Sequence, residues 1–410
     1  MREMKVTVVF IRASKYNSND WSVKVMADRK TKENRRPERI RYYDYSLVAI
    51  LIFLVCFGLV MLYSTSAYSA LVTYGDSMYY FKRQLIFCTA GFVGVYIISK
   101  IDYRWYTKIA KRLYFVSIIM MALVQTPLGK EVKGARRWIR LPAGQQFQPA
   151  ELAKIAVILF IPLLICKIGK QITTLEGVIK VLVWGGISAA CVYLLTDNLS
   201  TAIIVMGISC VMVFVVHPKT MPFIATAVGG LVLIIAAVQI LGANLANMGG
   251  FRLRRILVWL DPEAHASEGG FQVMQALYAI GSGGFFGKGL GNSAQKMIIP
   301  EVQNDMILSI ICEELGVFGA IVILLLFGML LYRLLFIAQN APDMYGSLVV
   351  TGIFVHIALQ VILNVAVVIN LIPTTGITLP FISYGGTSIL FLMAEMGIAL
   401  GVSRRIQFSE

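Results

Sequence analysis

The sequence predicts an all-α, polytopic membrane protein with ten transmembrane helices and a large extracellular loop between the seventh and eighth. Three observations carry that reading. Of the 410 residues, 58% are hydrophobic and only 14% charged, and the mean hydropathy of +0.74 exceeds what a soluble core of this length could hide. The apolar residues gather into ten segments separated by polar connections. Lys and Arg are distributed unevenly across alternate connections, as expected when basic residues stay on the cytoplasmic side.

In chain order, a basic tail over Met1–Tyr45 comes first. Its clusters Arg29-Lys30-Thr31-Lys32 and Arg35-Arg36 are too polar for a signal peptide, so the first apolar helix is expected to act as an uncleaved anchor. The segments follow at Ser46–Thr65, Gln84–Ser99, Leu113–Gln125, Ala150–Cys166, Leu175–Leu195, Ser200–Val216, Met221–Leu241, Met306–Tyr332, Tyr345–Val368 and Pro380–Val402. The second and third fall short of the ~20 residues that cross the hydrocarbon layer. With the N-terminus inside, the inner connections carry 23 basic residues and the outer ones 12, with Lys154 and Lys180 left inside apolar segments. Both termini are therefore predicted to be cytoplasmic, and the spanning domain covers 46–405, with a short end at 406–410. Two outer loops, Pro127–Pro149 and Gly242–Asn304, keep ten basic residues on the disfavoured side, which suggests that they hold an anion.

The net charge of +15 fits topology and anionic lipid. Nucleic acid is excluded as a partner, because the basic residues are not interleaved with aromatics on one soluble domain. The six cysteines all lie in apolar segments without a CxxC pair, so no disulfide framework is implied. The three histidines, His217, His265 and His356, are too scattered for a zinc site or a Ser/His/Asp triad.

Asp305 is the strongest catalytic candidate. It stands where the long loop Gly242–Asn304 enters the eighth apolar segment, and a carboxylate at that depth is costly unless it is paired or has chemistry to perform. Two turns on come Glu313 and Glu314, read as a structural pair with Lys154 or an arginine as partner. The fourth segment opens Gln148-Pro149-Ala150-Glu151-Leu152-Ala153-Lys154: proline suits a first turn, and Glu151 and Lys154 are i,i+3 neighbours. The loop before it, Gly134-Ala135-Arg136-Arg137-Trp138-Ile139-Arg140, delivers guanidinium forks that grip phosphate and a tryptophan suited to the headgroup level. Asp197 reads as an N-cap. In the large loop, 269–278 suggests a short interfacial helix, and Gly281–Ser293 reads as flexible backbone closing over a substrate, since no GK[ST] or βαβ context supports a nucleotide loop. Pro373 to Thr387, with Ser383 and Tyr384, reads as broken helix forming a cavity wall.

Together, Gly134 to Ile139, Gln148 to Lys154, Gly287 to Lys296, Pro300-Glu301 with Asp305, Glu313 to Gly316 and Pro373 to Gly386 resemble the SEDS family of bacterial cell-wall proteins, which includes RodA, FtsW and SpoVE. The resemblance covers Tyr45 to Arg405. Pro373-Thr374-Thr375-Gly376 is more similar to the FtsW and SpoVE branch, whereas Asn304-Asp305-Met306 and Thr196-Asp197-Asn198-Leu199-Ser200-Thr201 depart from the usual motifs, as a specialised or sporulation copy would.

The resemblance implies ten helices in the bacterial cytoplasmic membrane and a peptidoglycan glycosyltransferase that joins lipid II units outside the cell, in cell division, elongation or sporulation. It also implies a class B penicillin-binding protein as transpeptidase partner, alongside other membrane proteins of the division or elongation machinery. It places the essential aspartate on Asp305, the Arg-Trp on Arg137 and Trp138, and the fourth-helix lysine on Lys154. The expected site is Asp305 as general base, with Arg137, Trp138, Glu151, Lys154, Lys296, Glu301, Ser383 and Tyr384 around lipid II and its polyprenyl chain. Magnesium or manganese could share the charge on the pyrophosphate, although the sequence shows no dedicated cage for it. Two other readings remain open at this stage: a lipid II flippase, and a non-catalytic scaffold for the transpeptidase.

Overall fold

The computed structural model describes residues 40–132, 135–140, 146–230, 232, 236 and 251–408. Helices α1 to α6 are Tyr45–Tyr74, Tyr79–Lys100, Tyr106–Leu123, Pro149–Ile168, Leu175–Thr196 and Leu199–Val216. The described part of α7 is Met221–Gly230. Then follow α8 (Phe251–Leu260), α9 (Gly270–Gly283), α10 (Ile307–Asn340), α11 (Met344–Val368) and α12 (Ser388–Ser403). Seven of the described helices are long and apolar enough to cross a bilayer, so the chain is a multi-pass membrane protein. The basic tail before residue 40, Gly134, the segment 141–145 and most of 231–250 lie outside the described residues.

Polar residues start and stop these helices. The Asp44 carboxylate accepts from the backbone N–H of Leu47, that of Asp343 from Gly346, and the Thr174 hydroxyl from Gly177, each satisfying an orphan donor of a first turn. Pro149 opens α4 as expected. Asp197 is not the cap of α6: it ends α5 in the left-handed region at φ 50°, and Asn198 caps α6 by accepting from Thr201. The tenth predicted segment is also corrected. Its helix begins only at Ser388, because 380–387, with its proline and paired glycines, forms turns.

The bundle is centred on α4, which packs against α3, α5, α6, α11 and α12 and is buried on nearly every side. Helix α12 lies along α2, and α10 runs against α1, α9 and α11. Helix α1 meets the irregular segment backbone to backbone at Gly58, where an added Cβ would sit 2.6 Å from the Phe381 carbonyl oxygen. Near the chain ends, strand β1 (Ile40–Arg41) pairs antiparallel with β5 (Gln407–Phe408). On that same face the buried Asp44 carboxylate is gripped by Arg333 Nη2 at 2.7 Å, and Arg104 reaches Asp343 at 3.0 Å. The opposite face carries a small sheet in the order β2 (Gly129–Val132), β3 (Ala135–Arg140), β4 (Gln146–Phe147).

Candidate functional site

On this opposite face two non-helical stretches meet at Asp305. The first is the glycine-rich run after α9. Helix α10 breaks at Gly316 (φ 70°, ψ −172°), and the break frees backbone groups that the run takes up. Lys288 and Gly289 N–H donate to the carbonyls of Glu313 and Glu314 at 2.9 Å, while Val317 and Phe318 N–H donate to Gly284 and Phe285 at 3.0 Å. Glycine is required at 316 on two counts: its φ lies in the left-handed region, and a Cβ would lie 2.2 Å from the Phe285 carbonyl oxygen.

Glu313 and Glu314, fully buried, fasten the same run from below. Glu313 accepts from Lys288 Nζ at 2.7 Å, from Ser293 Oγ, and from the N–H groups of Ala294 and Gln295 at 3.3 Å. Glu314 accepts from Lys296 Nζ at 3.1 Å and from the Ser64 hydroxyl of α1. The two glutamates are structural, as expected, but their partners are lysines of the loop rather than Lys154 or an arginine. Where its glycines suggested a flexible cover, the run is docked onto α10 by these bonds.

The second stretch is 369–387, stitched at many points. Trp259 Nε1 donates to Asn370 O at 3.0 Å, Arg255 to Thr374 O at 3.2 Å, and Ser200 Oγ to Thr375 O at 3.0 Å. Further along, Gln360 Nε2 donates to Thr378 O at 3.0 Å and Asn364 Nδ2 to Ile377 O at 2.7 Å. Tyr384 N–H donates to Gln303 O at 2.9 Å, tying this stretch directly to the loop that ends in Asp305.

Asp305 itself is half-buried, two residues before α10, and its carbonyl accepts from Asn364 Nδ2 at 2.8 Å. Glu301 is exposed at φ 50° and accepts from the Asn304 amide at 3.3 Å. Ser383 is buried, its hydroxyl accepting from Leu379 N–H within a turn. The Tyr384 ring lies 4.9 Å from that of Tyr80, next to Tyr74 stacked on Tyr79. Asp305, Glu301, Ser383 and Tyr384 thus come together.

The remaining predicted residues sit elsewhere on the same face. Glu151 and Lys154 form a buried pair at 3.0 Å. Arg137 reaches the Asp197 carbonyl at 2.8 Å, beside the start of α6 that Ser200 ties to Thr375. Trp138 is half-buried on β3, opposite Lys130. Arg136 pairs with Glu131 at 3.5 Å, and the side chains of Arg252 and Arg254 lie outside the described residues. Lys154 and Lys296, expected to face a pyrophosphate, each already hold a carboxylate. Among the described residues, no three His, Cys, Asp or Glu gather to hold a metal ion.

Sequence reasoning missed the polar face of α11. His356, Gln360 and Asn364 fall at i, i+4 and i+8, one above another. The lowest, His356, meets Glu395 of α12 at 2.8 Å with both residues about 1% exposed. Polar residues at that spacing inside an apolar helix were the available signal.

Comparison with known proteins bears on all of this. Residues 45–407 match the FtsW, RodA and SpoVE family model, described as cell cycle protein. A probable peptidoglycan glycosyltransferase FtsW of Trichlorobacter lovleyi is 36% identical over 383 residues, covering 92% of this chain and 97% of its own. Stage V sporulation protein E of Bacillus subtilis is 39% identical over 366 residues, 88% of this chain and 97% of its own. Among solved structures, a chain from a peptidoglycan synthase complex that coordinates polymerization and crosslinking superimposes with a TM-score of 0.72. It is 28% identical, over 88% of this chain and 98% of that one.

Proposed function

Since this chain belongs to the FtsW, RodA and SpoVE family and is a peptidoglycan glycosyltransferase by that kinship, we propose that Asp305 is the general base of its reaction. The observation that carries the proposal is the placement of Asp305. Asp305 is half-buried and set by a fixed backbone just before α10, where the two irregular walls converge.

The substrate is lipid II, and the transfer inverts the anomeric centre. The acceptor sugar's 4-hydroxyl oxygen forms a bond to the donor's anomeric carbon as the bond from that carbon to the pyrophosphate oxygen breaks. Asp305 takes the hydroxyl proton, and the electron pair of the broken bond leaves with the lipid pyrophosphate. A positioned carboxylate is a group of the type that takes such a proton.

The leaving group gathers negative charge that cations must offset. Arg137 is the guanidinium suited to that task, with Trp138 at the level of the lipid headgroup. Lys154 and Lys296 contribute as members of near-neutral pairs. Magnesium or manganese, where it takes part, would draw ligands from the pyrophosphate itself. The tyrosines at 74, 79, 80 and 384 offer ring faces to the sugars. The relative from a peptidoglycan synthase complex supports a class B penicillin-binding protein as crosslinking partner, and the basic inner connections support cytoplasmic termini.

The test uses the purified protein and fluorescent lipid II. Wild type should make glycan polymer, whereas Asp305→Ala and Asp305→Asn, still folded, should lose at least 100-fold in rate, the scale of a positioned base. Polymer at the wild-type rate from Asp305→Ala ends the assignment.

A further inference from the structure

We infer that Asn364 is a positioning residue that fixes the general base in place, an inference that rests on the role proposed for Asp305. A carboxamide nitrogen carries two N–H donors, and in Asn364 they bridge two carbonyls far apart in sequence: Asp305 O at 2.8 Å and Ile377 O at 2.7 Å. The side chain is fully buried, and its oxygen has no hydrogen-bond partner. The amide is thus anchored by its donors. This one group sets the distance between the residue that bears the base and the irregular wall facing it.

The Asp305 carbonyl needs such a partner because it precedes the helix. The first turn of α10 closes from Ser309 N–H onto Met306 O at 3.0 Å, leaving the carbonyl of residue 305 outside that turn. Helix α11 is well suited to supply the donor, since it is among the most enclosed helices of the bundle and is tied to α12 through His356 and Glu395. A displacement of about 1 Å at a reacting group can cost on the order of 100-fold in rate, so a donor on the backbone of the base acts on turnover rather than on substrate affinity. Gln360, one turn along the same face, donates to Thr378 O and does not touch Asp305. It serves as an internal control for the purely structural role of this face.

The experiment measures kcat and KM for lipid II in full-length Asn364→Leu, Asn364→Ser, Gln360→Leu and Asp305→Ala. Leucine keeps the branched heavy-atom skeleton of asparagine, with somewhat more bulk, and removes both donors; serine retains one hydroxyl donor. For Asn364→Leu we expect kcat to fall about 10- to 100-fold with KM changed less than about threefold, and Asn364→Ser to fall in between. Gln360→Leu should stay within about threefold in kcat. Should the leucine variant fail to fold, the intermediate kcat of the serine variant carries the test. Full turnover in Asn364→Leu, equal losses in Asn364→Leu and Gln360→Leu, or a loss confined to KM overturns the positioning role. An active Asp305→Ala instead overturns the general base itself, whatever Asn364 does, so the two failures are told apart.

Discussion

Replacing Lys296 with methionine separates a structural role for this lysine from a chemical one. Its ammonium donates to Glu314 Oε1 at 3.1 Å and to Gly291 O at 2.6 Å; the lysine side chain is 9% exposed and that of Glu314 not at all. Methionine keeps the apolar stem and leaves the Glu314 carboxylate with the Ser64 hydroxyl but without its cation. Removing one partner of a buried pair costs about 3–5 kcal/mol, and removing both with apolar replacements is often close to neutral. Lys296→Met should therefore lose about 3 kcal/mol. Lys296→Met/Glu314→Leu should regain most of it, a coupling of about 2–4 kcal/mol. For a chain of this size the single loss lowers the melting temperature by on the order of 5 °C. A thiol-reactive dye in detergent reads it, through exposure of the buried Cys88, Cys166 and Cys312. Polymerisation is then measured on the restored double variant. Wild-type turnover there marks Lys296 as an anchor of the loop, whereas stability without turnover shows that the ammonium acts on the substrate. A single variant as stable as wild type, or a double no better than the single, refutes the reasoning.

Two further outcomes follow from the packing. Gly316→Ala should destabilise by at least about 2 kcal/mol, from a left-handed backbone and a Cβ placed 2.2 Å from the Phe285 carbonyl oxygen; limited proteolysis should then cut within 284–289, where wild type resists. In the His356–Glu395 pair, Glu395→Gln keeps an acceptor for the imidazole N–H and should cost less than about 1.5 kcal/mol. His356→Leu strands a buried carboxyl and should cost about twice that, read from thermal unfolding of the detergent-solubilised protein.

The apolar segments were legible because lipid demands long unbroken runs of one residue class, and α1, α4, α5, α6, α10 and α11 fall where those runs do. The tenth was misjudged at its start because Pro380, Phe381 and Ile382 are apolar yet form turns; hydropathy does not report backbone geometry. Asp305 stood out in the sequence because a carboxylate at an apolar boundary is exceptional. The partners of Glu313 and Glu314 did not. Lys288 and Lys296 lie 18–25 residues away and arrive only because the run after α9 folds back onto a break in α10. Asn364 and Asp305, 59 residues apart, meet through tertiary packing alone. The cap of α6 was displaced by one residue because Asp197 takes a left-handed turn, which Asp tolerates and a one-residue pattern does not reveal.

The docked glycine-rich run bears on how substrate would reach the proposed base, Asp305. Non-helical backbone at membrane depth persists only where its polar groups are satisfied, and here four backbone hydrogen bonds and the Lys288 and Lys296 pairs do so. Lifting the run as a lid would unpair all of them at once. At about 1–3 kcal/mol for every buried group left unsatisfied, that opening costs on the order of 10 kcal/mol, a population of about one in ten million at 1.4 kcal/mol per tenfold. Passage through so rare a state would burden every turnover. A path beside this wall avoids that cost, and glycines at 283, 287 and 316 let the two backbones approach closely. Hydrogen exchange in detergent checks the point: the amides of Lys288, Gly289, Val317 and Phe318 should exchange orders of magnitude more slowly than the enzyme turns over. Exchange at the pace of turnover would restore the lid.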